Sequence, residues 1–410
     1  MNDPKIINDP VFGFIRIPRG VLLDIVKHPL FQRLNRISQL GLASVVYPGA
    51  RHTRFQHSLG AFHLMSEAVL SLQQKGQFIF DSEAEAVQAA ILMHDIGHGP
   101  FSHVLENTLI SGISHEDLSL MMMEQINRDM NGQLNLAISI FKDEYPKRFL
   151  HQLISSQLDM DRLDYLRRDS FYTGVTEGNI GSARIIKMLN VIDDSLVVEH
   201  KGIYSLENYL TTRRLMYWQV YLHKTTVACE KVLVNVLRRA KHLTKQGHEV
   251  FASPALAYFL HNDVDADWFH HHDDALLMYE ELDDSDIWSA MKAWRHDDDK
   301  ILSTLACDML DRHIFHVEVS EAPVTEEYIA KTAQTIAEAM GIGVEDARRY
   351  MMSVNTIQKD MYNVDDDSIA VLYKDGTIKD VSEASELLNV QLLSKKIRKY
   401  YLCYQRLEDF

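Results

Sequence analysis

Within ten residues, the segment His94-Asp95-Ile96-Gly97-His98-Gly99-Pro100-Phe101-Ser102-His103 places three histidines and an aspartate directly after an apolar helical run. An adjacent His-Asp pair at a helix end makes a poor core. It makes a good cation site, because imidazole and carboxylate are ligands that borderline and hard divalent ions accept. His57 and Asp161 complete a candidate set with His94 and Asp95. A divalent ion held by two imidazoles and two carboxylates keeps positions open for water and a substrate oxygen. Such an ion lowers the pKa of the water. Asp161 lies in Leu158-Asp159-Met160-Asp161-Arg162-Leu163-Asp164-Tyr165-Leu166-Arg167-Arg168-Asp169. At helical spacing Asp161, Tyr165 and Asp169 share a face, with Arg168 beside them. Taken singly, an Asp-rich helix face reads as solvated and His57 as a structural histidine. Their combination with the His-Asp segment points to a metal centre.

The elements that must position these groups are mostly helices. Thr53 predicts a cap for a helix from Arg54 to about Gln73, with His57 in its first turn. Ser82 with Glu85 predicts a capping box for a helix through Ala89, Ala90, Ile91 and Leu92. Gly97 then ends that helix and Pro100 can open the next. His94 and Asp95 thus fall in a last turn, with His98 and His103 in the linker and the following helix. Residues 6–17 read as extended, with Asn8-Asp9-Pro10 and Gly13 as turn signals. Residues 205–245 carry a long, nearly uninterrupted helical pattern holding Arg213, Arg214 and Lys224. It is richer in apolar residues than one buried face requires, and an oligomer is expected from it. The run Tyr217-Trp218 through Tyr221 reads as core or subunit interface. From His313 onward, alternating runs at 313–319, 369–373 and 397–404 read as strands around one or two helices. Lys374-Asp375-Gly376-Thr377 carries a hairpin turn. The expected fold is mainly α: a helical core over 1–245, a helical acidic extension over 246–312, and a small α+β portion over 313–410. His270-His271-His272-Asp273-Asp274 imitates a metal tract, but consecutive helical residues point apart, and it reads as an exposed, incidental cluster.

The composition is that of a soluble globular protein, 46% apolar and 24% charged over 410 residues. No apolar run approaches the roughly 20 residues needed to span a bilayer. Residues 1–10 carry no signal-peptide pattern. Cys229, Cys307 and Cys403 are far apart and odd in number, as reduced core thiols would be. A cytoplasmic location is expected. The net charge of −16, from 42 basic and 58 acidic residues, argues against broad nucleic-acid or anionic-membrane binding. A small phosphorylated ligand stays compatible with it, because the acid clusters in 263–286, 297–299 and 365–367 while the first half is better supplied with arginine.

The order His…His-Asp…Asp resembles the signature of the HD-domain metal-dependent phosphohydrolases. The likeness extends through His28-Pro29-Leu30-Phe31-Gln32-Arg33-Leu34, Gln39-Leu40-Gly41, Tyr47-Pro48-Gly49-Ala50 and Arg54-Phe55-Gln56-His57-Ser58-Leu59-Gly60, the 94–103 segment and residues 159–169. Those segments resemble the deoxynucleoside triphosphate triphosphohydrolases, which include the bacterial dGTPases and the animal dNTPase that restricts retroviruses. The likeness covers roughly residues 5–235. It implies an HD helical core and hydrolysis of dNTPs to deoxynucleoside and inorganic triphosphate by attack of a metal-activated water on the α-phosphate. The metal would be one divalent ion per site (Mn, Fe, Zn, Ni or Mg) on His57, His94, Asp95 and Asp161. His115 matches the family's catalytic histidine, with Glu116 beside it as orienter. Arg54, His98, His103, Arg162, Tyr165 and Arg213 match positions that contact phosphates or sugar, Gln39 and Leu40 match the pair lining the 3′ side of the sugar, and Asp169 is placed with them. Tyr165 under the sugar implies preference for deoxy substrates. The family also implies a homo-oligomer, dimer or tetramer.

The chain departs from the activator-regulated animal members at Lys27 and Asn35, where those carry an acid and an arginine that recognise a guanine nucleotide. Activation of that kind is not expected. Two other readings stay open: an HD phosphohydrolase acting on another nucleotide, mono- or diphosphate, and a non-catalytic nucleotide-sensing HD module. Degenerate modules usually lose a ligand or the acid catalyst, and here His57, His94, Asp95, Asp161, His115 and Glu116 are all present.

Overall fold

Polar side chains set the helix starts that matter for the site. In the computed structural model, which describes residues 3–101, 104, 108–359, 368–386 and 397–406, the Thr53 backbone N–H donates to Gln56 Oε1 at 2.9 Å. The helix begun there runs Arg54–Gln74. The Met160–Thr173 helix starts at Asp159, whose side chain accepts the Arg162 N–H at 2.7 Å, and stops at Gly174 in the left-handed region. Ser114 and Asp117 cap the His115–Asp129 helix reciprocally, each side chain accepting the other's backbone N–H at 3.1 Å.

The next capping box sits two residues earlier than its sequence pattern suggests. The helix is Asp81–Met93, and its first free N–H, on Phe80, donates to Glu83 Oε2 at 2.8 Å rather than engaging Ser82 and Glu85. Glu83 is fixed there by tertiary partners, the Tyr145 hydroxyl at 2.6 Å and Lys147 Nζ at 2.7 Å. The helix ends at Met93, so His94 is its cap and Asp95 already belongs to the turn that follows. The helix expected from Pro100 falls largely on residues 102, 103 and 105–107, outside the described residues.

The pattern over 205–245 is two helices, Ile203–Met216 and Lys224–Lys245, joined by a π-turn at Tyr217–Tyr221. The second helix buries Val227, Val232, Leu233, Val236, Leu237 and Leu243 and packs against the Lys300–Asp311 helix. Its surplus of apolar residues is therefore consumed inside the chain, and the expectation of a dimer or tetramer rests on the family resemblance alone.

The chain is mainly α, with small sheets at its margins. The N-terminal hairpin pairs Lys5–Asp9 with Gly13–Ile17. A four-stranded sheet has the order Ile378–Asp380, Ala370–Leu372, Ser195–Glu199, Leu189–Ile192. Its two middle strands are parallel, with Val198 opposite Val371, so strands from the C-terminal portion complete a sheet begun in the helical core. The expected turn at 374–377 joins Ala370–Leu372 to the edge strand Ile378–Asp380. A second antiparallel sheet orders His316–Ser320, Ile397–Tyr404 and Met352–Lys359. The main hydrophobic core runs from Ile15 through Leu305 to Cys403, and a small second cluster joins Ile329, Ala333, Met352 and Leu402. All three cysteines are free, with Cys229 and Cys403 buried. Among the described residues no helix is long and apolar enough to cross a membrane.

The Arg54–Gln74 and Met160–Thr173 helices cross in contact, and Gly60 makes that approach possible. A Cβ on Gly60 would lie 1.9 Å from Asp164 Oδ1 and 2.2 Å from Arg168 Nη2. On an exposed helix face, Gly→Ala stabilises by about 1 kcal/mol. Here it forces a buried ion pair apart, and Gly60→Ala is expected to lose about 3 kcal/mol or more. A wild-type urea midpoint for Gly60→Ala would contradict this crossing.

Candidate active site

His57, in the first turn of its helix, and His94, at the end of the next, point their Nε2 atoms at each other across 3.3 Å. Asp161, in the first turn of Met160–Thr173, brings Oδ1 to 3.1 Å from His57 Nε2 and 3.6 Å from His94 Nε2. These ligand atoms all lie within 4.8 Å of one another. The other nitrogen of each ring decides what the Nε2 atoms can do. His57 Nδ1 donates to Asp164 Oδ2 at 2.7 Å, and His94 Nδ1 donates to the Ile91 carbonyl at 2.7 Å. A carboxylate and a carbonyl can only accept, so in the neutral rings both Nδ1 atoms carry the hydrogen and both Nε2 lone pairs face the gap. Two lone pairs and a carboxylate oxygen aimed at one point require a positive charge between them. The donor set, N, N and O, fits a divalent transition ion.

The electrostatics agree. Burial works against a charged His57, but hydrogen bonds to Asp161 and Asp164 prevail and push its pKa up to about 10. His94 is shifted upward too, burial being outweighed by Asp95 and Asp161. Asp161 is driven well below the carboxylate range: burial opposes its charge, and His57 and His94 overcome that. Positive charge is therefore favoured at this pocket. Asp95 stands at the edge of the cluster, its oxygens 3.4 Å from His94 Nε2 and 3.6 Å from His57 Nε2. It also pairs with Arg54 and lies 3.3 Å from His98 Nδ1.

The turn after Met93 is braced from three directions. Buried Arg33 donates to the carbonyls of His98 at 2.9 Å, Ile96 at 3.3 Å and Leu282 at 3.1 Å. Ser119 Oγ donates to the His94 carbonyl at 2.8 Å and accepts the Gly97 N–H at 2.9 Å. The Tyr279 hydroxyl donates to the Gly97 carbonyl at 2.8 Å. These donors satisfy carbonyls that a helix end leaves open. Tyr279 and Leu282 belong to the acidic 246–312 stretch, which thereby helps hold the His-Asp turn. Gly97 packs so closely on the His115–Asp129 helix that a Cβ there would meet Ser119 N at 2.2 Å. The approach sets the His115 ring against the His98 ring, centroids 4.0 Å apart. His98 is pushed down to about 3 by burial and by Arg54, so it is a neutral ring. Glu116 is exposed, and His103 lies outside the described residues.

A cationic and aromatic wall adjoins the metal cluster. Arg162 pairs with Asp159, and Arg213 Nη1 donates to the neutral Gln157 amide at 2.8 Å. The Nε atoms of both arginines are buried without a hydrogen-bond partner. The Tyr165 ring meets the Tyr221 ring edge-on at 6.0 Å, and Tyr217 meets Tyr221 at 5.2 Å. The aromatic run read as core or interface thus joins the wall through Tyr217 and Tyr221. Asp169 is buried, accepting from the Tyr221 hydroxyl at 2.8 Å and from His52 Nε2 at 2.7 Å. Gln39 bonds the His52 carbonyl through its backbone while its buried Oε1 has no partner. Leu40 is half-buried against the core. The His270–His272 tract stands apart: His270 and His271 are exposed, and His272 stacks on Trp268 at 3.9 Å.

Residues 54–169 match the HD domain, and residues 180–256 match the HD-associated region. The crystal structure of a phosphohydrolase from Bacteroides thetaiotaomicron is 66% identical and superposes with a TM-score of 0.96, over 98% of this chain and 100% of that one. The chain belongs to the HD-domain phosphohydrolase family. The uncharacterized protein YwfO of Bacillus subtilis is 31% identical over 98% of this chain and 92% of its own length. The deoxynucleoside triphosphate triphosphohydrolase SAMHD1 homolog of Dictyostelium discoideum is 32% identical over 59% of this chain, which spans 50% of that protein. The HD family is metal-dependent, in keeping with the His57, His94 and Asp161 cluster.

Sequence reasoning missed Asp164, His52, Tyr221 and the braces of the His-Asp turn. Asp164 carried one usable signal: it is three residues from Asp161 and four from Arg168, the spacings of neighbours on one helix face. Asp161→Ala removes a candidate ligand whose side chain is partly exposed, so the HD fold is expected to survive. Metal analysis after dialysis against Mn²⁺ is expected to drop from one ion per chain to near zero. Full metal retention in that variant would exclude Asp161 as a ligand.

Proposed function

We propose that this HD-domain protein hydrolyses deoxynucleoside triphosphates to deoxynucleoside and inorganic triphosphate. One observation carries the reading: the convergent His57, His94 and Asp161 donors lie beside a wall of Arg162, Arg213, Tyr165 and Tyr221. The first part suits a cation that works on phosphate, and the second suits a polyphosphate tail joined to a flat, partly apolar group.

His57, His94 and Asp161, with Asp95 as the fourth ligand, would hold the divalent ion. Such an ion supplies Lewis-acid polarisation of a phosphate oxygen and an activated water. Arg54, Arg162 and Arg213 bind the phosphates and offset the charge that grows in the transition state. Neutral His98 donates to a phosphate oxygen rather than repelling the cationic centre, and His103 is assigned to the same phosphates. Water attacks the α-phosphorus, the bond from phosphorus to the 5′ oxygen breaks, and His115 gives that oxygen its proton. Glu116 orients His115 once substrate is bound. Tyr165 packs beneath the sugar and fills the space of a 2′ hydroxyl, with Asp169 on the same helix face, while Gln39 and Leu40 line the 3′ side, where the open Gln39 Oε1 awaits a donor. The resemblance to dNTP triphosphohydrolases supports these roles.

The test is turnover of the four dNTPs and four NTPs with Mn²⁺, with products resolved by chromatography. Deoxynucleoside and triphosphate in equal amounts are expected. Monophosphate or diphosphate products would instead place the attack elsewhere on the chain of phosphates, and no turnover with metal bound would favour the sensing module. His115→Ala is expected to keep one metal per chain and lose turnover at least about 100-fold. Tyr165→Ala is expected to narrow the ratio of dNTP to NTP kcat/KM by about tenfold, and an unchanged ratio would remove Tyr165 as the deoxy selector.

A further inference from the structure

A line of buried charge begins on the N-terminal hairpin and ends at His57. Asp9 closes the hairpin turn: its Oδ1 accepts the backbone N–H groups of Val11 and Phe12, both at 2.9 Å. Its Oδ2 accepts Arg168 Nη1 at 2.8 Å. Arg168 in turn grips Asp164 twice, Nε to Oδ2 at 2.9 Å and Nη2 to Oδ1 at 3.0 Å. Asp164 accepts His57 Nδ1 at 2.7 Å. Arg168, Asp164 and His57 have no exposed surface, and Asp9 is 7% exposed. One guanidinium is therefore shared between two carboxylates, leaving a net negative charge behind a ring whose far nitrogen faces the metal position.

We propose that Asp9 is a positioning residue for the metal ligand His57. By taking part of the Arg168 charge, Asp9 leaves Asp164 the electron density with which it holds the Nδ1 hydrogen of His57. A strongly held Nδ1 hydrogen fixes the ring and makes Nε2 a better donor. Without the Asp9 charge, Arg168 acts on Asp164 alone and draws it away from the imidazole. The coupling is reciprocal, as any linkage of two equilibria must be: a cation on Nε2 tightens the His57–Asp164 bond and with it the seat of the hairpin. The hairpin is poised to report this. A two-stranded ribbon is marginal alone, and its turn is held on the Met160–Thr173 helix by Arg168, by Arg167 donating to the Val11 carbonyl at 3.2 Å, and by the Arg167 guanidinium over the Phe12 ring at 4.7 Å.

The proposal rests on the divalent-cation reading of His57, His94 and Asp161. Asp9→Asn separates a charge role from a turn-closing role, because the amide oxygen still accepts from Val11 and Phe12. Metal-stripped full-length protein is titrated with Mn²⁺ by calorimetry, and hydrogen exchange of residues 5–17 is followed with and without Mn²⁺. In wild type, Mn²⁺ is expected to bind at one per chain and to slow hairpin exchange several-fold. In Asp9→Asn, affinity is expected to fall about tenfold and the effect on hairpin exchange to vanish. Phe14→Ala, on the exposed face of the same hairpin, keeps wild-type affinity. Wild-type affinity in Asp9→Asn overturns the proposal. So does hairpin exchange indifferent to Mn²⁺ in wild type, which needs no variant and decides the matter should Asp9→Asn fail to fold. A wild-type chain that binds no Mn²⁺ overturns the cation reading itself, a different result from metal binding that is blind to Asp9.

Discussion

The structure turns on one imidazole held from both sides. His57 gives its Nδ1 hydrogen to Asp164 and aims its Nε2 at His94 and Asp161. His94 closes one neighbouring helix and Asp161 and Asp164 belong to another, so the ring is the point where the helices Arg54–Gln74, Asp81–Met93 and Met160–Thr173 meet. Burying ionised groups costs several kcal/mol per ion even after relaxation, and hydrophobic replacements of similar volume are often at least as stable. A buried Asp9, Arg168 and Asp164 behind a buried histidine is therefore poor economy for stability alone. It is well suited to holding a ring in one tautomer while an electron-rich nitrogen waits for a cation.

The second constraint is the backbone turn that presents His94 and Asp95. A helix that stops inside a protein leaves carbonyls without partners, and burial makes each of them expensive. Arg33, Ser119 and Tyr279 meet that need, and in doing so they fix the direction of the His94 and Asp95 side chains. The acidic helical stretch takes part through Tyr279. Gly97 allows the His115–Asp129 helix to approach, which sets His115 against His98. A small residue at a crossing and a hydroxyl under a turn thus settle where the His115 ring stands.

The charge distribution divides the molecule by scale. A net charge of −16 repels polyanions at long range, yet Arg54, Arg162 and Arg213 place guanidinium donors beside the His57, His94 and Asp161 cluster. Burial strengthens those local fields because little water is there to screen them. A small phosphorylated ligand that enters the site meets the local field, whereas an extended nucleic acid meets the whole surface. The two facts are compatible.

Much of this was legible in the chain. The cap at Thr53 and the His94-Asp95 pair after an apolar helix are local signals, set by residues three or four positions apart. So are the alternation in 397–404 and the turn at 374–377. They determine which elements form and which residues share a face. Local pattern could not decide which face meets which. Glu83 rather than Glu85 closes a helix because Tyr145 and Lys147 reach it. The 370–372 strand completes a sheet begun at residue 189. Tyr221 joins the site because a π-turn rotates it toward Asp169. Asp164 and Asp161 lie on the same helix, but only packing turned one toward the back of His57 and the other toward its front. Asp9 reaches the same histidine from 48 residues away in sequence, through an arginine 159 residues from Asp9 itself. Spacing along a chain encodes direction around one element. Contacts between elements far apart in sequence depend on how their surfaces fit, and that was decided only when the chain folded.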